Sequence, residues 1–307
     1  MKVFAYDIKP LSGFRSWPRA STLWGHLAWA IRELKGEHAL SGWIDAHRSA
    51  IDARSDPPVK LSSAFPKNTL PRPILPPVLV ADTIVRKQLK AIRWLPIEIF
   101  EHVAAGGEAK LVELIEAGDL PPVSSAAEQT ASRTRVAMDR RTGAAAKGLL
   151  FEEVLYWYSG TLTIYAQTSD VTPPKQLAEL IDYVGSNGYA GGSSTGNGHF
   201  QLIEGPREVR LPGATNGTHD MLLGPGLLPE NPSGWWRTET YWGRMGNVFA
   251  LASTPFKKPY LRLIEGSVLQ DPNPALLNVT PPTEPQNGVK IWENLYPLTL
   301  PLEVHRG

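Results

Sequence analysis

Apolar and polar residues alternate over Lys2–Ile8 (KVFAYDI), the pattern of a half-buried strand. From Ser21 the period changes to that of a helix. Leu23, Leu27, Ile31 and Leu34 share one face, with Ser21 placed to cap it. Trp43, Ile44, His47 and Ile51 predict a second helix. LSSAFPKNTLPRPILPP fits neither period and reads as a rigid, irregular excursion. Leu111, Leu114 and Ile115 predict a helix over Glu108–Ala117. TASRTRVAMDRRTGAAAKGLLFEE has a turn-like centre, RRTGAAAKG, between strand-like flanks, and reads as a long hairpin or a mobile loop. LFEEVLYWYSGTLTIYAQ alternates again, as one or two strands. PPKQLAELIDYVG is helical, with Leu177, Leu180, Ile181 and Val184 on one face and proline at its start, and HFQLIEG is a short strand. Strand, helix, strands, helix, strand is the order of an α+β, ferredoxin-like fold with insertions. From Pro206 onward THDMLLGPGLLP, RTETYWGRMGNVFA, KKPYLRLIEGSVLQ and NLYPLTLPLEV predict a second, mostly β unit.

Composition narrows the function. The chain of 307 residues is 42% hydrophobic and 20% charged, as an ordinary globular protein is. It has no run of eighteen apolar residues and no signal-peptide core at its start, so neither membrane nor export is expected. With no cysteine there is no disulfide, thiol catalysis or cysteine-held zinc, and a cytoplasmic setting fits. Net charge is only +1, yet Lys60–Arg93 carries +6 and Ser132–Gly148 carries +4. Basic segments in a neutral chain point to a local surface for an anion.

The candidate chemistry lies in three places. YAGGSSTGNGHF holds Gly191, Gly192, Gly196 and Gly198 after a helix and before a strand, the reverse of a dinucleotide-binding turn, and lacks the phosphate-loop lysine. It reads as a backbone-amide cradle for phosphate or another chain, or as a tight packing corner. In the basic hairpin Arg133, Arg135, Arg140 and Arg141 offer planar forks for phosphate oxygens, with Met138 between them to wedge against a base. In the proline-rich excursion Phe65 and Lys67 are placed to stack on a base and hold its phosphate. His26 is the one catalytic suspect, for a metal-free ribonuclease, against the commoner structural role of a lone helical histidine. The other histidines show no ligand spacing, so no metal is expected, and no motif requires a cofactor. Trp235, Trp236 and Trp242 suit partner docking or a β core.

TLWGHLAWAI, SSAFPKNTLPRP, VAMDRRTGAAAKGLLFEE, GGSSTGNGHF and YLRLIEGSVL, followed by LYPLTLPLEV, occur in that order. Together they resemble, nearly end to end, the RAMP-superfamily subunit that caps the crRNA 5′ tag in type III-A CRISPR–Cas effector complexes, the fourth Csm subunit. The resemblance implies a non-catalytic scaffold of two ferredoxin-like (RRM-like) units, 1–205 with the two insertions and 206–307 mostly β. Its partners would be the crRNA 5′ tag, the large polymerase-like subunit and the backbone RAMP subunits. It implies Arg140, Arg141 and the glycine loop near RNA, Phe65 and Lys67 near RNA as well, and Glu265–Ser267 in a structural role. Type III variants other than III-A have similarly built capping subunits, and the resemblance leaves these open. His26 departs from it: a small residue is expected there, and a helix histidine is a mark of the superfamily's metal-independent endoribonucleases that process precursor crRNA. That enzyme is the alternative reading.

Overall fold

The computed structural model describes residues 2–120, 128–139, 141–214, 217–246, 249, 254–282 and 288–304, and the backbone alone at 146–148. Strand β1 (Val3–Pro10) runs through a loop into helix α1 (Ala20–Lys35), joined at Gly36 to α2 (Glu37–Asp52). The helical stripe of α1 is Leu23, Leu27, Ala30 and Ile31, while Leu34 in the last turn is exposed. Ser21 is not the cap. The helix begins one residue earlier, and its free Ala20 N–H donates to the Ser63 hydroxyl at 3.0 Å, a donor-satisfying contact borrowed from a strand rather than from the local sequence.

That strand is β2 (Val59–Pro66), followed after a turn at Asn68 (φ 62°) by β3 (Thr69–Pro71). The first part of the proline-rich segment is therefore regular, against expectation. Pro66 is tolerated because it closes a strand at the edge of its sheet. Helix α3 (Thr83–Ala91), which the apolar pattern did not announce, is capped by the Asp82 carboxylate, accepting from Ile84 N at 2.6 Å and Val85 N at 3.3 Å. Strand β4 (Trp94–Pro96) pairs with β3, and α4 (Ile97–Ala117) bends at Gly107 (φ 69°), so the expected Glu108–Ala117 helix is its second segment.

The basic segment is a hairpin, β5 (Glu128–Met138) against β6 (Ala145–Tyr158). Then follow β7 (Leu162–Thr168), α5 (Pro174–Asn187) and β8 (Phe200–Val209). Strands β2, β7, β1 and β8 lie side by side in that order, all antiparallel. Helices α1 and α5 pack on each other, α1 against β2 and α5 against β8.

After Pro206 the described residues form strands and no α-helix, so the helices of a second ferredoxin-like unit have no counterpart among them. Strands β9 (His219–Leu222), β10 (Gly234–Trp235), β11 (Thr238–Tyr241), β12 (Tyr260–Leu263), β13 (Val268–Leu269), β14 (Ala275–Asn278), β15 (Trp292–Leu295) and β16 (Thr299–Leu302) make a four-stranded sheet, β10-β13-β9-β16, and two ribbons, β11-β12 and β14-β15. This half docks on the β2 edge through Ser63 N to Leu223 O (2.7 Å) and Leu298 N to Leu61 O (2.9 Å). One hydrophobic cluster runs through both halves, taking in Tyr6, Leu27 and Ile181 with Met221, Val268 and Leu300. Among the described residues no helix is long and apolar enough to cross a membrane.

A buried ionic network also crosses the seam. Arg262, 3% exposed, donates to Glu239 (2.7 Å from Nε), lies over the Tyr241 ring at 3.7 Å and reaches Ser21 in α1. Arg19 pairs with the same Glu239. Lys257 donates to Glu293, itself fully buried, at 2.7 Å. Burial pulls the Lys257 pKa down most strongly, but the charge and hydrogen bond of Glu293 together with Tyr241 outweigh it and hold the ammonium above its ordinary value. Lys257→Ala leaves Glu293 buried without a counter-charge and should cost about 3–5 kcal/mol in urea unfolding at neutral pH. Lys2→Ala, which breaks the exposed Lys2–Glu208 pair, should cost about 1 kcal/mol or less. Equal small losses would show that Glu293 is hydrated in solution.

Candidate nucleic-acid interface

The glycine loop begins where α5 ends at Gly188 and returns at Phe200 into β8. Gly198 (φ 75°) leaves no room for a side chain, since a Cβ there would lie 2.1 Å from the Tyr189 carbonyl oxygen. The two ends of the loop are cross-linked by Tyr189 N to Gly198 O (2.8 Å), and the loop is tied to the β1–α1 connection by Gly198 N to Gly13 O (2.9 Å) and His199 N to Ser12 Oγ (2.9 Å). Tyr189, fully buried, donates its hydroxyl to Trp17 O and accepts from Arg19 N. The loop is thus a packed corner at one end. Its other end is exposed: Gly191 and Gly196 face solvent, and a Cβ on Gly192 (φ 81°) would lie 2.9 Å from Arg15 Nε. Glycine at 192 lets that guanidinium lie on the loop backbone.

His26 holds this loop. Its Nε2 accepts from Ala190 N at 2.9 Å and its ring packs on Tyr189 at 5.2 Å. Burial, aided by the charge of Lys257, lowers its pKa to about 4. The lone pair that a general base would use is already engaged with the backbone.

Arg15 also reaches the hairpin, through Glu153 of β6. Glu153 is buried, and the cross-strand register sets Arg133 opposite it and Arg135 opposite Phe151 on the same face. Both arginines bind the same carboxylate, Arg135 at 2.7 Å, and Arg133 also donates to Asn197 Oδ1 of the glycine loop at 3.3 Å. Burial pushes the Glu153 carboxyl up, but hydrogen bonds from Arg133 and Arg15 win and hold it below the usual range. Three guanidinium groups therefore surround one carboxylate beside the loop, with side chains 36%, 42% and 27% exposed for Arg15, Arg133 and Arg135. Their outer N–H groups are available to an anion, and the set carries two uncompensated positive charges.

The structure brings Arg133, Arg135, Gly191 and Gly192 together, through Arg15 and Asn197. Met138 and Arg141 are exposed at the hairpin tip, with Met138 five residues, about 17 Å at strand rise, beyond Arg133. Arg140 lies outside the described residues. Phe65 is not at a surface: it is wholly buried against Trp94, with ring centres 5.5 Å apart, because the segment that carries it is a sheet strand. Lys67 is committed to carboxylates, Asp7 at 2.6 Å and Glu204 at 3.2 Å, with Asp7 itself buried. Trp235 and Trp236 are half-buried, and Trp242 is exposed with its ring 4.8 Å from Phe256. Glu265 accepts from the Ser63 hydroxyl at 2.6 Å. Sequence reasoning missed Arg15, Glu153 and Asn197. The signal for Glu153 was an acid in the apolar run LLFEEVLYWY. Among the described residues no cluster of histidine and carboxylates is placed to hold a metal ion.

No family model matches the sequence, and no curated protein does. Solved structures match end to end. A chain of the crystal structure of a Csm1–Csm4 cassette in complex with pppApA is 18% identical with a TM-score of 0.63, covering 100% of both chains. The cassette in complex with cA4 gives 17% and 0.61 over 99% of this chain and 100% of that one. The Csm3–Csm4 subcomplex of the type III-A CRISPR–Cas interference complex gives 17% and 0.60 over 99% and 100%. The fold is thus one found in type III CRISPR–Cas complexes. More narrowly, it is a fold shared with a chain of the Csm1–Csm4 and Csm3–Csm4 assemblies.

The role of His26 has a pH signature. The ordinary histidine value is 6.5 and the folded value about 4, so below pH 6.5 the unfolded chain takes up a proton that the folded chain resists. Stability should therefore be full above pH 6.5 and fall as pH drops towards 4. His26→Ala should lower stability at pH 7 yet shrink that fall, the remainder belonging to His47, which burial also lowers to about 4. Urea midpoints measured across this range check it. Parallel profiles for wild type and variant would remove His26 from the loop's support.

Proposed function

We propose that this chain is a non-catalytic RNA-binding subunit of a type III CRISPR effector complex. It caps the crRNA 5′ tag and docks the large polymerase-like subunit and the backbone RAMP subunits in antiviral defence. The observation that carries the reading is the Arg15–Arg133–Arg135 cluster on Glu153, set against the exposed end of the glycine loop. Guanidinium forks bind phosphate oxygens in pairs, and here they are oriented before any ligand arrives. The solved structures with this fold carry Csm1 or Csm3 beside Csm4, which supports the same two kinds of partner here. The strand order β2-β7-β1-β8 with α1 and α5 supports a ferredoxin-like reading of 1–205, with 206–307 as a second, mostly β unit.

Arg133→Ala with Arg135→Ala should weaken binding of a 5′-tag RNA at least tenfold near physiological salt. The log–log salt slope should flatten by roughly 0.7 for each phosphate that the variant no longer neutralises. An unchanged affinity and slope in fluorescence anisotropy would remove the hairpin from the site. The alternative, a metal-independent endoribonuclease, has its own assay. Repeat RNA incubated with the chain in EDTA should stay intact, and cleavage that His26→Ala abolishes would establish the enzyme instead.

A further inference from the structure

A groove of about 1440 Å³ lies between the segment 71–94 and the second half of the chain. At its floor Trp17 and Trp94 stack with ring centres 4.9 Å apart and planes at 25°. The Arg93 guanidinium lies over both rings, at 5.1 and 4.9 Å. Arg93 remains 53% exposed, so its outer face is a flat cationic platform on an aromatic base. The walls are strongly positive. Arg72, Arg86 and Lys90 stand on one side and Arg237 on the other, with Arg19 at the end, against two acids, Glu108 and Glu265.

Those acids are already engaged. Glu108 holds Arg72, and Glu265 accepts from Ser63 and lies 3.8 Å from Arg19. Lys90 and Arg237 are exposed and have no carboxylate partner among the described residues. Burial lowers the Arg72 pKa, Glu108 opposes that, and Arg237 adds to the lowering, so the two walls present like charges within each other's field. An anion entering the groove relieves that repulsion. A flat, delocalised group completes the match to the Arg93 platform. Trp17 Nε1, buried and without a protein acceptor, sits in the same lining. The groove is also continuous with the hairpin. Arg93 pairs with Glu128 at 3.1 Å, the first residue of β5, and Arg133 lies five residues, about 17 Å, further along that strand.

We propose that this groove is a second RNA-binding site, taking a single-stranded segment whose phosphates meet Arg237 and Lys90 and one of whose bases stacks on Arg93. This rests on the RNA-binding reading above and extends the RNA path beyond the glycine loop and hairpin. Stacking on arginine planes with phosphate neutralisation is how unpaired RNA is gripped. A nucleobase fits the platform better than an acidic peptide, whose carboxylates would satisfy the walls alone.

The test uses the full chain and a short single-stranded RNA carrying 5-iodouridine. Arg237→Ala with Lys90→Ala, both exposed and remote from the core, should leave the thermal midpoint in place. Affinity should fall about tenfold, and the salt slope should flatten by roughly 1.4 for two phosphates. Photocrosslinks should fall on peptides bearing Trp94 or Trp236. If affinity, slope and crosslinks match wild type while Arg133→Ala with Arg135→Ala still weakens binding, the groove is excluded and the hairpin site stands. If neither pair of substitutions changes binding, the RNA-binding reading itself fails. A polyglutamate peptide that binds more tightly than RNA, and loses that binding in the Arg237/Lys90 variant, would overturn the proposal in favour of an acidic protein segment.

Discussion

One buried carboxylate, Glu153, organises the candidate site. A carboxylate removed from water costs several kcal/mol unless charge and hydrogen bonds return what hydration supplied. Here three arginines do so, one from the β1–α1 connection and two from β5. The same contact solves a second problem, because three guanidinium groups this close would otherwise repel one another. Glu153 therefore pins the hairpin beside the glycine loop and lets positive charge gather at one place. Asn197 completes the link by accepting from Arg133 on the loop side.

The seam between the two halves is built on a comparable device. The free N–H at the start of α1 is met by Ser63, whose hydroxyl donates in turn to Glu265 in the turn between β12 and β13. Arg262 from β12 reaches back to Ser21 in the same helix turn. Helix α1 therefore takes its start, its buried face and its ionic partners from different parts of the chain. Trp17 and Arg19, just before it, line the groove that opens between the halves.

Much of this was legible in the sequence where the information is local. Helices α1, α2 and α5 follow from apolar spacing, and the hairpin from turn residues between alternating flanks. The glycine loop announced itself by composition. What was not legible depends on contacts distant in sequence. Ser21 looked like a cap because its true competitor, Ser63, lies on a strand. Phe65 looked available to RNA because the prolines around it hid an edge strand, and Lys67 because its partner Asp7 lies on another strand. Arg15, Glu153 and Asn197 carry no motif between them, since only the fold brings them together. The kink at Gly107 explains why half of α4 was visible: each segment has its own periodic face, and the glycine breaks the phase between them.

The place of β1 in its sheet has a consequence for how the chain is made. It is a central strand, and its two neighbours are β7, starting at Leu162, and β8, starting at Phe200. A ribosome adding roughly 5–20 residues per second leaves this first strand without its sheet partners for about ten to forty seconds. Until β7 is made, roughly eight to thirty seconds at the same rates, both edges of this apolar strand are unpaired, a form open to mispairing. The edges of β1 are thus open during synthesis in a way that they are not in the finished sheet.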